Sequence, residues 1–110
     1  MICKPGSALA NFCKALSQEV GPKGIRVNTV SPGPVATDLW LGAQGVAETL
    51  SQATGAKPED VANEAARQMV TGRFTQPSEV ADVVLFLASD RAANITGSDV
   101  RVDGGLIPTW

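Results

Sequence analysis

The chain has 110 residues, with 9 Lys and Arg against 11 Asp and Glu, and a formal charge of -2. It has two Cys, no His and no Tyr, which excludes imidazole acid/base chemistry, Ser-His or Cys-His pairs, His metal ligands and any phenol proton donor. Near-balanced, slightly acidic charge argues against nucleic acid as a main partner.

Cys3 and Cys13 alone are too few for a zinc site or a disulfide framework, so a reduced, cytoplasmic setting and no metal are expected. The longest nearly apolar stretch, Val80 to Ala88, is interrupted by Asp82 and is far shorter than the roughly 20 residues a membrane span needs. Met1-Ile2-Cys3-Lys4 runs straight into Pro5-Gly6, unlike a signal peptide. No membrane partner is expected. An apolar content of 44% can support a core, so the chain is not a disordered one.

Residues 7–20 read as a helix. Leu9, Phe12, Cys13, Leu16 and Val20 recur at helical period and form one apolar face, with Ser7 placed to cap the start. Gly21-Pro22-Lys23-Gly24 ends it. Residues 25–30, rich in β-branched side chains, read as a strand that Ser31-Pro32-Gly33-Pro34 terminates. Together these look like the second half of a βαβ unit.

Residues 38–76 read as a surface flap. It holds a weak helix over Val46 to Ala53 and a fair one over Glu59 to Val70, with Pro58 at its first position and Gly72 closing it. Long connections of this kind are more often functional than structural. Residues 77–89 are the clearest helix, opened by Pro77, Ser78 and Glu79 and apolar nearly all round. Residues 98–102 read as a short strand, and Asp103-Gly104-Gly105 turns the chain.

That inventory is three or four helices and only two strands. Two parallel strands do not make a stable sheet alone. The fold class expected is therefore α/β: the C-terminal portion of a Rossmann-like doubly wound parallel sheet, with its N-terminal half absent. The other reading is a compact helical domain with two incidental strands.

Several pieces occur in a specific order. They are Ala8-Leu9-Ala10-Asn11-Phe12, then Gly24 to Asp38 with its Asn28-Thr29-Val30-Ser31-Pro32-Gly33-Pro34 core, then Gly72-Arg73-Phe74 and Pro77-Ser78-Glu79-Val80-Ala81. Phe86 to Asp90, Ile95-Thr96-Gly97 and Val102-Asp103-Gly104-Gly105 complete the series. This resembles the C-terminal part of the short-chain dehydrogenase/reductase (SDR) family domain over nearly the whole chain. The resemblance implies NAD- or NADP-dependent interconversion of an alcohol and a carbonyl on a small-molecule substrate. In the family a tyrosine relays the proton, a lysine tunes that tyrosine, and a serine orients the substrate.

Carried over by resemblance, the backbone at Pro32, Gly33 and Val35 lines the nicotinamide, and Thr37 bonds near its carboxamide or the adjacent phosphate. A rigid strand-to-flap turn is the competing reading. Leu39, Trp40 and Leu41 are candidates to touch substrate, or simply to anchor the flap. Asp103-Gly104-Gly105 reads as a turn only.

The family's Gly-rich dinucleotide motif, its Asn-Asn-Ala-Gly strand, its serine strand and its Tyr-x-x-x-Lys tyrosine have no counterpart in the sequence. The family's lysine position falls on Gly6. Lys4 takes that role only if Pro5-Gly6 is an insertion, and the tyrosine then falls one place before Met1. A chain cut, or a gene start placed at an internal Met, is expected, as is a fragment that binds no cofactor tightly alone. The alternative is a non-catalytic interaction or assembly module, forming a homo-oligomer or associating through exposed sheet edges.

Overall fold

The computed structural model describes residues 8–109. Ser7, with its expected capping role, lies outside them. In chain order the elements are α1 (Ala8–Val20), β1 (Thr29–Pro32), α2 (Asp38–Leu41), α3 (Val46–Thr54), α4 (Pro58–Arg67), α5 (Pro77–Ala88) and β2 (Asp99–Val102). Short 3-10 turns occupy Gly21–Lys23 and Asp90–Ala92. β1 and β2 pair as neighbours. Their bonds advance together along both strands, from Gly97 N to Val27 O, through Thr29 N to Ser98 O, to Gly33 N on Val102 O. The sheet is therefore parallel, as the α/β reading requires.

The strand expected over 25–30 is displaced to Thr29–Pro32. Side chains replace backbone rungs ahead of it. The Val27 amide donates to Thr96 Oγ1. Asn28 donates through Nδ2 to Ile95 O at 2.9 Å and accepts at Oδ1 from Ser98 N at 3.1 Å. Pro32 belongs to the strand because its missing N–H is out of phase with the ladder, which uses Thr29 and Gly33 at the two-residue period.

The chain divides into two compact units, residues 8–31 with 82–101 and residues 32–81 with 102–109. In the first, Arg26 is a staple. Its guanidinium donates to Leu87 O at 2.7 Å, Ser89 O at 3.3 Å and Ile95 O at 3.4 Å. The first two acceptors belong to the carbonyl end of α5, which a cation suits. Ser17 is the buried residue of α1. Its hydroxyl donates back to Lys14 O at 2.6 Å. Gly97 packs there with φ +68, and a Cβ on it would sit 2.6 Å from Ser17 Oγ.

The apolar face expected on α1 is not buried among the described residues. Leu9 is 71% and Phe12 62% exposed. Likewise α5, apolar nearly all round, buries only Leu87, and Val84, Leu85 and Phe86 are exposed. A two-stranded sheet is too narrow to cover both helices.

In the second unit Ala47, Met69, Phe74 and Thr75 are buried. Trp40 and Phe74 meet with ring centroids 5.3 Å apart at 57°. α3 ends on Gly55 at φ +75. α4 begins at Pro58 and ends at Arg67, with Gly72 as a separate left-handed turn. α5 opens with a charge-backed cap: Glu79 Oε2 accepts from Gln76 N at 2.7 Å, and Arg73 grips both Glu79 oxygens at 2.9 and 2.6 Å. The Arg73 hydrogen bonds, then the Gln76 amide, pull the Glu79 carboxyl down to about 2.

Two predictions follow from these contacts. Gly97→Ala meets both a positive φ and the Ser17 hydroxyl, so it costs about 1–3 kcal/mol in urea unfolding. Gly21→Ala, with open space around it, is neutral or stabilising. The Glu79 carboxyl contributes stability above its ordinary value near 4.5 and loses it as pH falls toward about 2. In Arg73→Ala the carboxyl's NMR titration midpoint moves up toward the ordinary value. An unmoved midpoint would show that the Gln76 amide alone holds it down.

Candidate functional site

The segment from Pro32 to Leu41 holds every candidate side chain except Lys4, which lies outside the described residues. It starts where β1 ends, at Pro32, and reaches α2 through Thr37. Two prolines flanking Gly33 limit the backbone states of the turn. The turn is held by named partners rather than by stiffness alone. Thr75 N donates to Pro34 O at 3.1 Å and Ala36 N donates to Thr75 O at 2.8 Å, which forms a parallel bridge between Val35 and Thr75. The Thr75 hydroxyl donates to Val102 O at 3.1 Å. Thr75 is 4% exposed.

Gly33 is pressed from the other side. Its N–H donates to Val102 O at 3.0 Å. A Cβ there would lie 2.8 Å from the Asp103 Cβ and 2.9 Å from its Cα, so only glycine fits. Asp103 in turn organises the chain after β2: Oδ1 accepts from Gly105 N at 2.9 Å and Oδ2 from Ile107 N at 3.2 Å. The Asp103-Gly104-Gly105 turn therefore acts as a buttress for the candidate turn.

Two polar groups of the turn are left available. Among the described residues the half-buried Val35 N–H has no hydrogen-bond acceptor, while Val35 O accepts from Thr37 N at 2.7 Å. Thr37 sits at the N-cap of α2, yet its hydroxyl makes no capping bond. It reaches Val35 O only at a long 3.4 Å. One backbone donor and one hydroxyl held only by a long bond, on a fixed turn, suit an amide or carboxamide ligand. That is the test the nicotinamide must meet, and these residues fit it. Among the described residues no group of three or more Cys, Asp or Glu could hold a metal ion. No helix among them is long and apolar enough to cross a membrane.

The three flap candidates are placed differently. Leu39 is 73% and Leu41 52% exposed. Trp40 is half-buried against Phe74, and its amide donates to Thr37 O at 3.0 Å. Sequence reasoning missed Thr75 and gave Asp103 too small a part. A β-branched residue just before Gln76-Pro77, where the chain must be extended, was the available signal for Thr75.

A family profile described as Enoyl-(Acyl carrier protein) reductase matches residues 6–107. Short-chain reductase protein NovJ of Streptomyces niveus is 37% identical over 89% of this chain and 35% of its own length. The 3-oxoacyl-[acyl-carrier-protein] reductase FabG of Aquifex aeolicus is 36% identical over 91% of this chain and 35% of its own. Among solved structures, a short chain dehydrogenase family protein of Francisella tularensis superposes with a TM-score of 0.86 at 30% identity, over 99% of this chain and 47% of that one. L-sorbose reductase of Gluconobacter frateurii, solved with NADPH and L-sorbose, gives 0.82 at 34% identity over 94% and 39%. The chain spans about a third of the length of the curated relatives it matches. With its ordered motifs, its parallel strand pair and its family match across residues 6–107, the chain belongs to the short-chain dehydrogenase/reductase family.

Proposed function

We propose that the chain is the nicotinamide-facing portion of an NAD- or NADP-dependent oxidoreductase that interconverts a small-molecule alcohol and carbonyl, and that it does not turn over substrate by itself. When bound, the nicotinamide supplies or accepts the hydride. The chain's own share is positional. The observation that carries the reading is the Val35 N–H, which has no acceptor among the described residues, on a turn clamped by Thr75 and Asp103. That donor suits the carboxamide oxygen, and the Thr37 hydroxyl suits a neighbouring amide or phosphate. The relatives' names support the cofactor class: NADPH in the sorbose reductase, and NAD in a 3-oxoacyl-[acyl-carrier protein] reductase of Brucella melitensis.

A proton must also reach the substrate oxygen. With no Tyr and no His in these 110 residues, the chain holds neither a phenol nor an imidazole to give that proton. Lys4 takes the part of the family's lysine only if Pro5-Gly6 is an insertion, and would then lower the pKa of the family's tyrosine. A reducing, cytoplasmic setting goes with this reading and with the free thiol of Cys13.

A second reading is a non-catalytic assembly module. The exposed Leu9 and Phe12 on α1 favour it, as do Leu85 and Phe86 on α5. Sizing chromatography separates the two: self-association that Phe12→Lys and Leu85→Lys abolish supports assembly, and a sharp monomer refutes it.

The cofactor reading is tested with nicotinamide mononucleotide and the ¹⁵N-labelled chain. The Val35 and Thr37 amides shift on titration. Thr75→Val, which removes one buried hydroxyl bond worth about 0.5–1.5 kcal/mol, weakens binding several-fold, and Thr75→Ser restores it. Silence at Val35 up to millimolar ligand refutes the reading. NAD(P)H turnover by the purified chain refutes its non-catalytic part.

A further inference from the structure

We propose that Arg73 and Glu79 are positioning residues for the cofactor turn: they buckle the strap of residues 73–76, and that strap holds Val35 and Thr37 in place. The inference rests on the cofactor reading above and deepens it. It names residues on which the site depends although they do not touch the ligand.

The strap runs from the left-handed turn at Gly72 to the start of α5 and belongs to no helix. Its two inner residues, Phe74 and Thr75, are buried. Each holds one of the two groups assigned to the cofactor. Thr75 N donates to Pro34 O and Thr75 O accepts from Ala36 N, so Thr75 grips the backbone on both sides of Val35. Phe74 packs against Trp40, whose amide donates to Thr37 O at 3.0 Å. A segment outside the helices has few backbone bonds of its own to fix its path. The placing of Phe74 and Thr75 therefore depends on what ties the ends of the strap.

Both ends close on one carboxylate. At the first end, Arg73 Nη1 donates to Glu79 Oε2 at 2.9 Å and Nη2 to Oε1 at 2.6 Å. Nη1 also donates to Phe74 O at 3.1 Å. At the second end, Gln76 N donates to Glu79 Oε2 at 2.7 Å. The planar guanidinium fork matches the two carboxylate oxygens, which a lysine does not reproduce. Gln76 precedes Pro77, which keeps it out of the helical region and lets the strap stay extended.

The buckle is exposed: the Arg73 and Glu79 side chains are 56% and 38% accessible. An ion pair so open to water adds little to global stability. What it supplies is direction. Three hydrogen bonds on one carboxylate leave the strap few alternative paths. Arg73 and Glu79 thus act on the order of the turn rather than on folding as a whole.

The test is amide hydrogen exchange of the ¹⁵N-labelled 110-residue chain, followed by titration of the same samples with nicotinamide mononucleotide. In Glu79→Ala the Ala36 and Thr75 amides exchange at least about tenfold faster, while the Thr29 amide, bonded to Ser98 O in the other unit, stays within about twofold of its rate. Nucleotide binding read at Val35 weakens about fivefold. Arg73→Met acts in the same direction by itself, yet adds less than about twofold to Glu79→Ala, because a strap already open has little left to release. Glu79→Gln keeps the side-chain volume and moves the same amides by a smaller factor, so the test stands even where the alanine variant folds poorly. Ser78→Gly weakens the first turn of α5 but makes none of these bonds, and it leaves Ala36 exchange unchanged.

The proposal is overturned if Ala36 and Thr75 exchange at the parent rate in the variants, or if Thr29 speeds up equally, which marks a role in folding only. It is also overturned if Ser78→Gly acts like Glu79→Ala, if the two substitutions add in full, or if the amides loosen while nucleotide binding is unaltered. Exchange needs no ligand, so the two readings fail separately. A nucleotide that never shifts Val35 in the parent chain removes the cofactor reading, and faster Ala36 exchange in the variants then still supports the strap.

Discussion

One buried threonine holds the candidate site in place. Thr75 bonds the turn at both its backbone N–H and its C=O, and sends its hydroxyl to the last residue of β2. Two segments that are far apart in sequence, 34–36 and 102, converge on that residue. On the other side of the turn, Gly33 lies so close to Asp103 that a Cβ would clash. Remove these constraints and Val35 and Thr37 become groups on a loop. With them, the path of the backbone at Val35 is fixed, so little ordering entropy remains to be lost there.

The packing points to a different use of the remaining surface. Few large apolar side chains are buried among the described residues, and several lie exposed on α1 and α5. Polar interactions carry an unusual share of the organisation. Arg26 gathers the carbonyls around the end of α5, Asn28 stands in for strand rungs, and the Arg73–Glu79 pair secures the start of α5. These contacts are directional and specify geometry. Apolar burial, which supplies most folding free energy, is thin by comparison. Such a chain has its conformation well specified and its helices' apolar faces poorly covered.

Much of the architecture was legible in the residues. Apolar periodicity and Pro-Gly punctuation marked α1 and α5, and the β-branched run marked a strand near its true place. The strand's bounds were misread because Asn28 and Thr96 carry out backbone pairing with side chains, which composition does not reveal. The apolar face read on α1 carries Leu9 and Phe12, which are exposed. Periodicity identifies which residues share a face, not whether a partner covers it. The candidate turn was legible through Pro32, Gly33 and Pro34, but what holds it was not. Thr75 and Asp103 matter through contacts across sequence gaps of about 40 and 70 residues, and no local pattern encodes those. In the flap, spacing grouped Leu39, Trp40 and Leu41, whereas packing separated them: the indole found Phe74, and the two leucines face solvent.

The out-of-phase proline at the end of β1 has one further consequence. By the two-residue period, Val30 and Pro32 look away from β2, toward the strand's other edge. A third strand laid along that edge would find no donor at Pro32 and would lose its rung there. A strand pairing there must take its bonds from Val30 and from the Pro32 carbonyl instead. The end of β1 is thus specified on one edge by a full ladder and on the other by a single missing hydrogen atom.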